Sequence, residues 1–245
     1  MKRWVYLAVA VLCLSAFLRA QTVEELVNKN IEAKGGLDKI KAVKTLRIYG
    51  RAQQADGPPL VISIERTRPD QIREDLTLAG MTMVQAYDGK EGWMIQPFGG
   101  RKDPQLMGDD DTRDLVLDSD IDGPLVDYKT KGNVVEFIGH DFVDGDDALR
   151  LKVTLKDGDI VYYDLDPDSY LEIRRESQEF IRGSVKEQVT DYGSYKPVDG
   201  VMYPFSIAIW PKTDPTQAMT VSIDKVEVNV PLAESLFAVP ASLKH

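Results

Sequence analysis

A mainly β fold, an antiparallel meander of roughly eleven strands entered through an amphipathic helix, is predicted by three features of this 245-residue sequence. Hydrophobic periodicity changes from helical to alternating at Thr45 and, with one interruption, stays alternating to Ile223. Tight turn formers punctuate the alternating runs, among them Asp56-Gly57-Pro58-Pro59, Arg68-Pro69-Asp70, Ala79-Gly80 and Asp88-Gly89-Lys90. Neither a long linker nor an internal repeat divides them, so residues 21–245 read as one domain.

Residues 1–20 read as a cleavable export signal. Lys2 and Arg3 precede the apolar run Trp4–Leu14, and a small residue, Ala20, stands before the polar Gln21-Thr22. Arg19 ends the run short of the roughly 20 apolar residues that span a bilayer. Cys13 follows Leu12, where a lipid-modified cysteine normally follows a small residue, so the exported product is expected to be soluble and unlipidated. Without Cys13 the chain has no cysteine, hence no disulfide and no thiol nucleophile. The formal charge of −10 becomes −13 once Lys2, Arg3 and Arg19 are removed, leaving 27 basic against 40 acidic residues. Such a surface repels phosphate backbones and argues against nucleic acid as a partner.

The elements follow in order. Thr22 and Glu25 form a capping box, Val23, Leu26, Val27, Asn30 and Ile31 share one helical face, and Gly35-Gly36 stops the helix. Leu37–Val43 reads as a short second helical turn. Strands then carry Leu46/Ile48, Leu60/Ile62/Ile64, Ile72/Leu76/Leu78, Met81/Met83 and Trp93/Ile95 on alternating positions. From Pro97 to Gly132 the alternation lapses, and a loop with short helices around residues 112–117 and 124–128 is expected to interrupt the sheet. Strands resume over residues 134–138, 149–155, 161–165, 171–173, 184–195, 201–209 and 219–223.

Reactive chemistry is thin. The histidines are His140 and the terminal His245, and no nucleophile elbow, phosphate-cradling glycine loop or His/Cys metal cluster occurs. His140 before Asp141 reads as a turn residue more readily than as a base. Asp118-Ser119-Asp120-Ile121-Asp122-Gly123 matches the first half of a calcium loop, but the twelfth position is Lys129 where a bidentate Glu belongs, so a solvated acidic loop is the better reading. Asp164, Asp166 and Asp168 resemble a glycosidase pair only as any chain with 40 acids would. No catalytic residue, metal or cofactor is expected.

Apolar strand faces carrying large or adaptable groups are plentiful: Met81, Met83, Trp93, Tyr163, Tyr203 and Phe205. They suit either an ordinary sandwich core or, in a strongly curved sheet covered by helices, the wall of a cavity for an apolar ligand. On the second reading Leu46, Ile48, Leu60, Ile62, Ile64, Ile95, Leu151 and Val153 join that wall.

The order of these elements resembles the outer-membrane lipoprotein-sorting proteins, the LolA/LolB-like family. The likeness rests on the helix ending in Gly35-Gly36, the helical insert after Trp93, Asp157-Gly158, Tyr163-Asp164-Leu165-Asp166, Asp191-Tyr192, the run Val198-Asp199-Gly200-Val201-Met202-Tyr203-Pro204, and the ending Val228-Asn229-Val230-Pro231-Leu232 with Phe237 and Pro240. It covers nearly all of the chain after the signal. The resemblance implies an unclosed antiparallel half-barrel with a helical lid on its concave face. It also implies a periplasmic carrier that shields lipoprotein acyl chains or a related lipid between an inner-membrane donor and an outer-membrane acceptor. It further implies an arginine on an early strand that latches the lid. Arg66, which continues the face of Leu60/Ile62/Ile64, is the match, whereas Arg47 and Arg73 have the opposite parity. A longer chain and an acidic insert depart from the carriers, so a module that senses lipid or lipoprotein is the alternative, and a secreted hydrolase a third.

Overall fold

The computed structural model describes residues 22–54, 57–181 and 183–243. The export signal expected at residues 1–20, with Cys13, and His245 lie outside them. Helix α1 (Val23–Ala33) starts at the expected capping box: the Glu25 amide donates to the Thr22 hydroxyl at 3.2 Å and the Thr22 amide to the Glu25 carboxylate at 3.1 Å. Helix α2 (Leu37–Ala42) follows directly.

Fifteen strands follow, against the roughly eleven expected: β1 (Thr45–Gln54), β2 (Leu60–Thr67), β3 (Gln71–Leu78), β4 (Met81–Tyr87), β5 (Gly92–Gln96), β6 (Arg101–Leu106), β7 (Val134–Val143), β8 (Asp146–Thr154), β9 (Ile160–Leu165), β10 (Glu172–Ile181), β11 (Ser184–Gly193), β12 (Lys196–Val198), β13 (Val201–Tyr203), β14 (Ser206–Pro211) and β15 (Met219–Val228). Between β6 and β7 lie helices α3 (Asp109–Ser119) and α4 (Tyr128–Lys131). Two differences from the sequence reading have simple causes. β6 was hidden by Pro104, which a strand tolerates at a sheet edge where its missing amide is not needed. The single strand expected over residues 201–209 is split at Pro204, which separates β13 from β14.

Thirteen strands form one antiparallel sheet in the order β6-β5-β4-β3-β2-β1-β15-β14-β11-β10-β9-β8-β7, and β12-β13 form a separate ribbon. The sheet does not close: β6 and β7 are free edges. At its centre β1 pairs with β15, with a bulge at Tyr49/Gly50. Gly50 is required there, since a Cβ would stand 2.5 Å from the Ser222 carbonyl oxygen.

One face of the sheet, here the inner face, carries the helices. α1 buries Leu26 and Val27 with Leu125 against Leu149, Leu151, Val153, Val161 and Leu165 of β8 and β9. At about 1.5–3 kcal/mol for each fully buried large aliphatic side chain, this cluster fixes α1 over that half of the sheet. α2 contributes Ile40, packed with Val43, Val126 and Val201. On the outer face the C-terminal segment covers β4 and β5: Val239 packs on Val84, Ala86 and Trp93, and the Trp93 indole donates to the Phe237 carbonyl at 2.8 Å. Among the described residues no helix is long and apolar enough to cross a membrane.

Candidate functional site

The strand order dictates where the insert must run. β6 and β7 are consecutive in sequence yet occupy opposite edges of the sheet, so residues 107–133 have to travel from one edge to the other. They do so across the inner face, with α3 touching β3, β4 and β5. Gly92 on β5 allows this approach, since a Cβ there would fall 2.6 Å from the Thr112 hydroxyl of α3.

Between insert and sheet lies a cavity of about 530 Å3. Its walls come from both halves of the sheet and from α3, which contributes Leu115 and Leu117. Strand register explains the apolar part: Ile48 pairs with Ile64 and Val226, and Leu76 with both Ile62 and Met83, so these side chains stand in rows on the inner face. Of the residues expected to form the wall, Leu46, Ile48, Ile62, Ile64, Met83, Tyr163 and Tyr203 line this cavity, and Arg66 does too.

The others are placed elsewhere. Trp93 pairs with Ala86 and Ile95 with Val84, the parity opposite to cavity-facing Met83 and Gln85, so both point to the outer face under the C-terminal segment. Leu151 and Val153 are buried beneath α1. Leu60 and Phe205 pack beside Ala52 and Val221 without reaching the cavity, and Met81, at the start of β4, is exposed.

Part of the wall is charged or polar, more of it than the inward Arg66 that the sequence predicts. Arg66, Glu74, Gln85, Arg175, Thr190 and Tyr192 all face the cavity. Arg175 donates to Asp118 of α3 at 2.7 Å, and Lys34 to Glu172 at 3.1 Å. Burial, then the negative charge of Asp118, pushes Glu74 up to about 7, against the opposing pull of Arg66. Burial likewise lifts Tyr192 and Tyr203 to about 12, so their hydroxyls stay protonated and available as donors. Glu74 was legible as a polar break in the inward parity of Ile72 and Leu76. Arg175 was not, because a bulge between Glu172 and Arg174 interrupts the alternation.

Arg66, the expected latch residue, stands on β2 in the cavity wall. Among the described residues Arg66 makes no hydrogen bond or ion pair, and its Nε is buried without a partner. The acids of the calcium-like motif each take a different base: Asp118 binds Arg175 of β10 and Asp122 binds Arg68 together with Lys41 of α2, which ties the insert down, while Asp120 binds Lys131 of α4 within the insert. Two further pairs pin α3: Arg113 to Asp159 at 2.7 Å and Lys186 to Asp114 at 2.6 Å. The motif's alternate spacing thus fans three carboxylates toward three elements.

Other candidate residues lie away from the cavity. His140 is exposed on β7, its Nδ1 2.9 Å from Asp147. Asp164 is fully buried against Arg150 and, chiefly through burial, rises to about 6. Asp166 accepts the Ser169 amide in its own turn. Asp164 and Asp166 therefore serve an ion-pair network and a turn.

No protein-family model matches the sequence, and no curated protein matches it. Solved structures do match. A LolA superfamily protein of Nitrosomonas europaea aligns over 90% of this chain and 99% of its own, at 11% identity and a TM-score of 0.58. A DUF1329 family protein of Desulfovibrio piger aligns over 88% and 97%, at 12% identity and a TM-score of 0.60. A domain assigned to outer membrane lipoprotein sorting, from Vibrio parahaemolyticus, aligns over 86% and 97%, at 12% identity and 0.54. The chain therefore shares, over most of its length, the fold of the LolA superfamily and of outer-membrane lipoprotein-sorting domains.

Proposed function

We propose that the protein is a non-enzymatic periplasmic carrier or chaperone that encloses acyl chains, those of lipoproteins or a related lipid, and moves them toward the outer membrane. The observation that carries this reading is the cavity between the inner face and the insert, with rows of aliphatic side chains on its wall. In this reading the sheet is a half-barrel and the insert its lid. Each buried methylene contributes about 0.8 kcal/mol, so an enclosed chain is held without covalent chemistry. Release needs the lid to move, and the ion pairs of Asp118, Asp122, Arg113 and Lys186 are what its movement would break. The export signal read at residues 1–20 supplies the route to the periplasm.

Native mass spectrometry of protein purified from whole cells, followed by lipid extraction, tests this. Co-purifying acyl lipid is expected, and Val221→Trp, which fills the cavity, should abolish it. Repeated absence of lipid, together with no uptake of a fluorescent acyl probe, would overturn the carrier reading.

A second reading, a module that senses lipid or lipoprotein and passes the signal to another protein, is favoured by one observation. Free edge strand β7 exposes three large apolar side chains, Val134, Ile138 and Phe142, the last 69% accessible, and a bulge at Phe137/Gly139 puts Val134 and Phe142 on opposite faces. A carrier retains lipid when purified alone; a sensor depends on a second protein, so Phe142→Lys should disable the sensor and spare the carrier.

A further inference from the structure

The cavity is more polar at one place than shielding of hydrocarbon requires. Two of its cations are neutralised inside the protein, Arg175 by Asp118 and Lys34 by Glu172. Arg66 is not: among the described residues its guanidinium has no hydrogen bond or ion pair, and its Nε is cut off from solvent. Leaving a buried charged donor unsatisfied is unfavourable, so such a group is expected to serve a ligand.

Its neighbours fit the same purpose. Glu74, Tyr192 and Tyr203 line the same cavity as Arg66, so β2, β3, β11 and β13 all contribute to its polar wall. No hydrogen bond occupies the side chains of these three residues among those described, and all three line the cavity. A protonated phenol donates. Beside them run Ile48, Ile62, Ile64 and Leu76, an apolar track leading away from the guanidinium.

We propose that Arg66 is the receptor for the anionic headgroup of an acyl amphiphile, with Tyr192 and Tyr203 donating to the same group and an acyl tail lying along the aliphatic rows. The proposal rests on the acyl-carrier reading and narrows its ligand class. The planar fork of arginine suits carboxylate, phosphate or sulfate oxygens, which it binds through paired donors.

Calorimetric titration of the signal-free protein with dodecanoate, dodecyl phosphate and dodecanol, each below its micellar concentration, decides the matter. The two anions are expected to bind at least about tenfold tighter than the alcohol, a difference of about 1.4 kcal/mol. Arg66→Gln should remove that preference while leaving dodecanol binding within about twofold, and Arg66→Lys should restore part of it. Preference for one anion over the other identifies the headgroup as carboxylate or phosphate. Equal binding of all three to the unaltered protein, or equal weakening of all three by Arg66→Gln, overturns the proposal and leaves the carrier reading standing. Failure of all three to bind overturns the carrier reading with it. The comparison among ligands needs no variant, so a folding defect in Arg66→Gln would not obscure it, and Tyr192→Phe supplies a milder check.

Discussion

Arg68 and Asp122 form a two-pronged ion pair between the β2–β3 turn and the middle of the insert, and the same guanidinium also donates to the main chain of the α2 segment. Nη1 and Nη2 each meet one oxygen of the carboxylate, while Nε donates to the Val43 carbonyl at 2.6 Å and Nη2 to that of Ile40 at 3.1 Å. Asp122 is 2% exposed, and Lys41 adds a third donor at 2.6 Å.

Removing one side of this arrangement leaves a buried charge without its principal partner. Arg68→Met should destabilise the fold by about 3–5 kcal/mol, measured by urea unfolding. Asp122→Asn should cost less, and the double variant less than the sum, because the residues share one interaction.

Burial by itself would raise the Asp122 carboxyl, but the hydrogen bonds from Arg68 and Lys41 outweigh it and hold the group below the ordinary value of 3.8. A depressed carboxyl contributes stability above its unfolded value and loses it as pH falls through the folded value. Acid unfolding of the native protein should therefore gain a component below about pH 4 that Asp122→Asn lacks.

Glu74 gives the opposite slope. Its folded value of about 7 lies above the ordinary 4.5, so the folded state holds a proton the unfolded state has released. Stability contributed by the uncharged form is then lost progressively between about pH 4.5 and 7. Glu74 faces Arg66, Arg175, Asp114 and Asp118, and Glu74→Gln should flatten that part of the stability profile, read from melting temperatures across the range.

Arg175 and Asp118 tie β10 to α3 across the cavity. Arg175→Gln should raise hydrogen exchange over residues 109–119 by about tenfold or more, with β8 and β9 unaffected, since those strands are held by the α1 cluster.

Gly92→Val should show the same local exchange signature through contact instead of charge. Its side chain would collide with Thr112 at the seat of α3, and Thr112→Ala in the same chain should recover part of the loss.

The parts of this fold that were legible in the sequence depend on short-range regularities. The capping box of Thr22 and Glu25, the alternation through β1 to β4 and the inward parity of Arg66 all follow from spacing within a few residues. What escaped depends on distant chain. Trp93 looks inward by composition, yet its face is set by pairing with Ala86 and by a carbonyl at Phe237, 144 residues away. The acids at Asp118, Asp120 and Asp122 looked like a failed calcium loop because their bases, Arg175, Lys131 and Arg68, are not adjacent in sequence.

The strand order has a last consequence, for how the cavity comes into being. Within each run, β1 to β6 and β7 to β15, every pairing in the main sheet joins neighbours along the chain or strands separated only by the β12-β13 ribbon. Each run is a ladder of local hairpins that closes small loops and can zip rapidly. The β1–β15 pairing alone joins the two, bringing Leu46 to Val228. The cavity straddles that join, drawing Ile48 and Ile62 from the first run and Ile207 and Val221 from the second. The cavity is therefore absent from either run alone and arrives with the one long-range pairing of the main sheet.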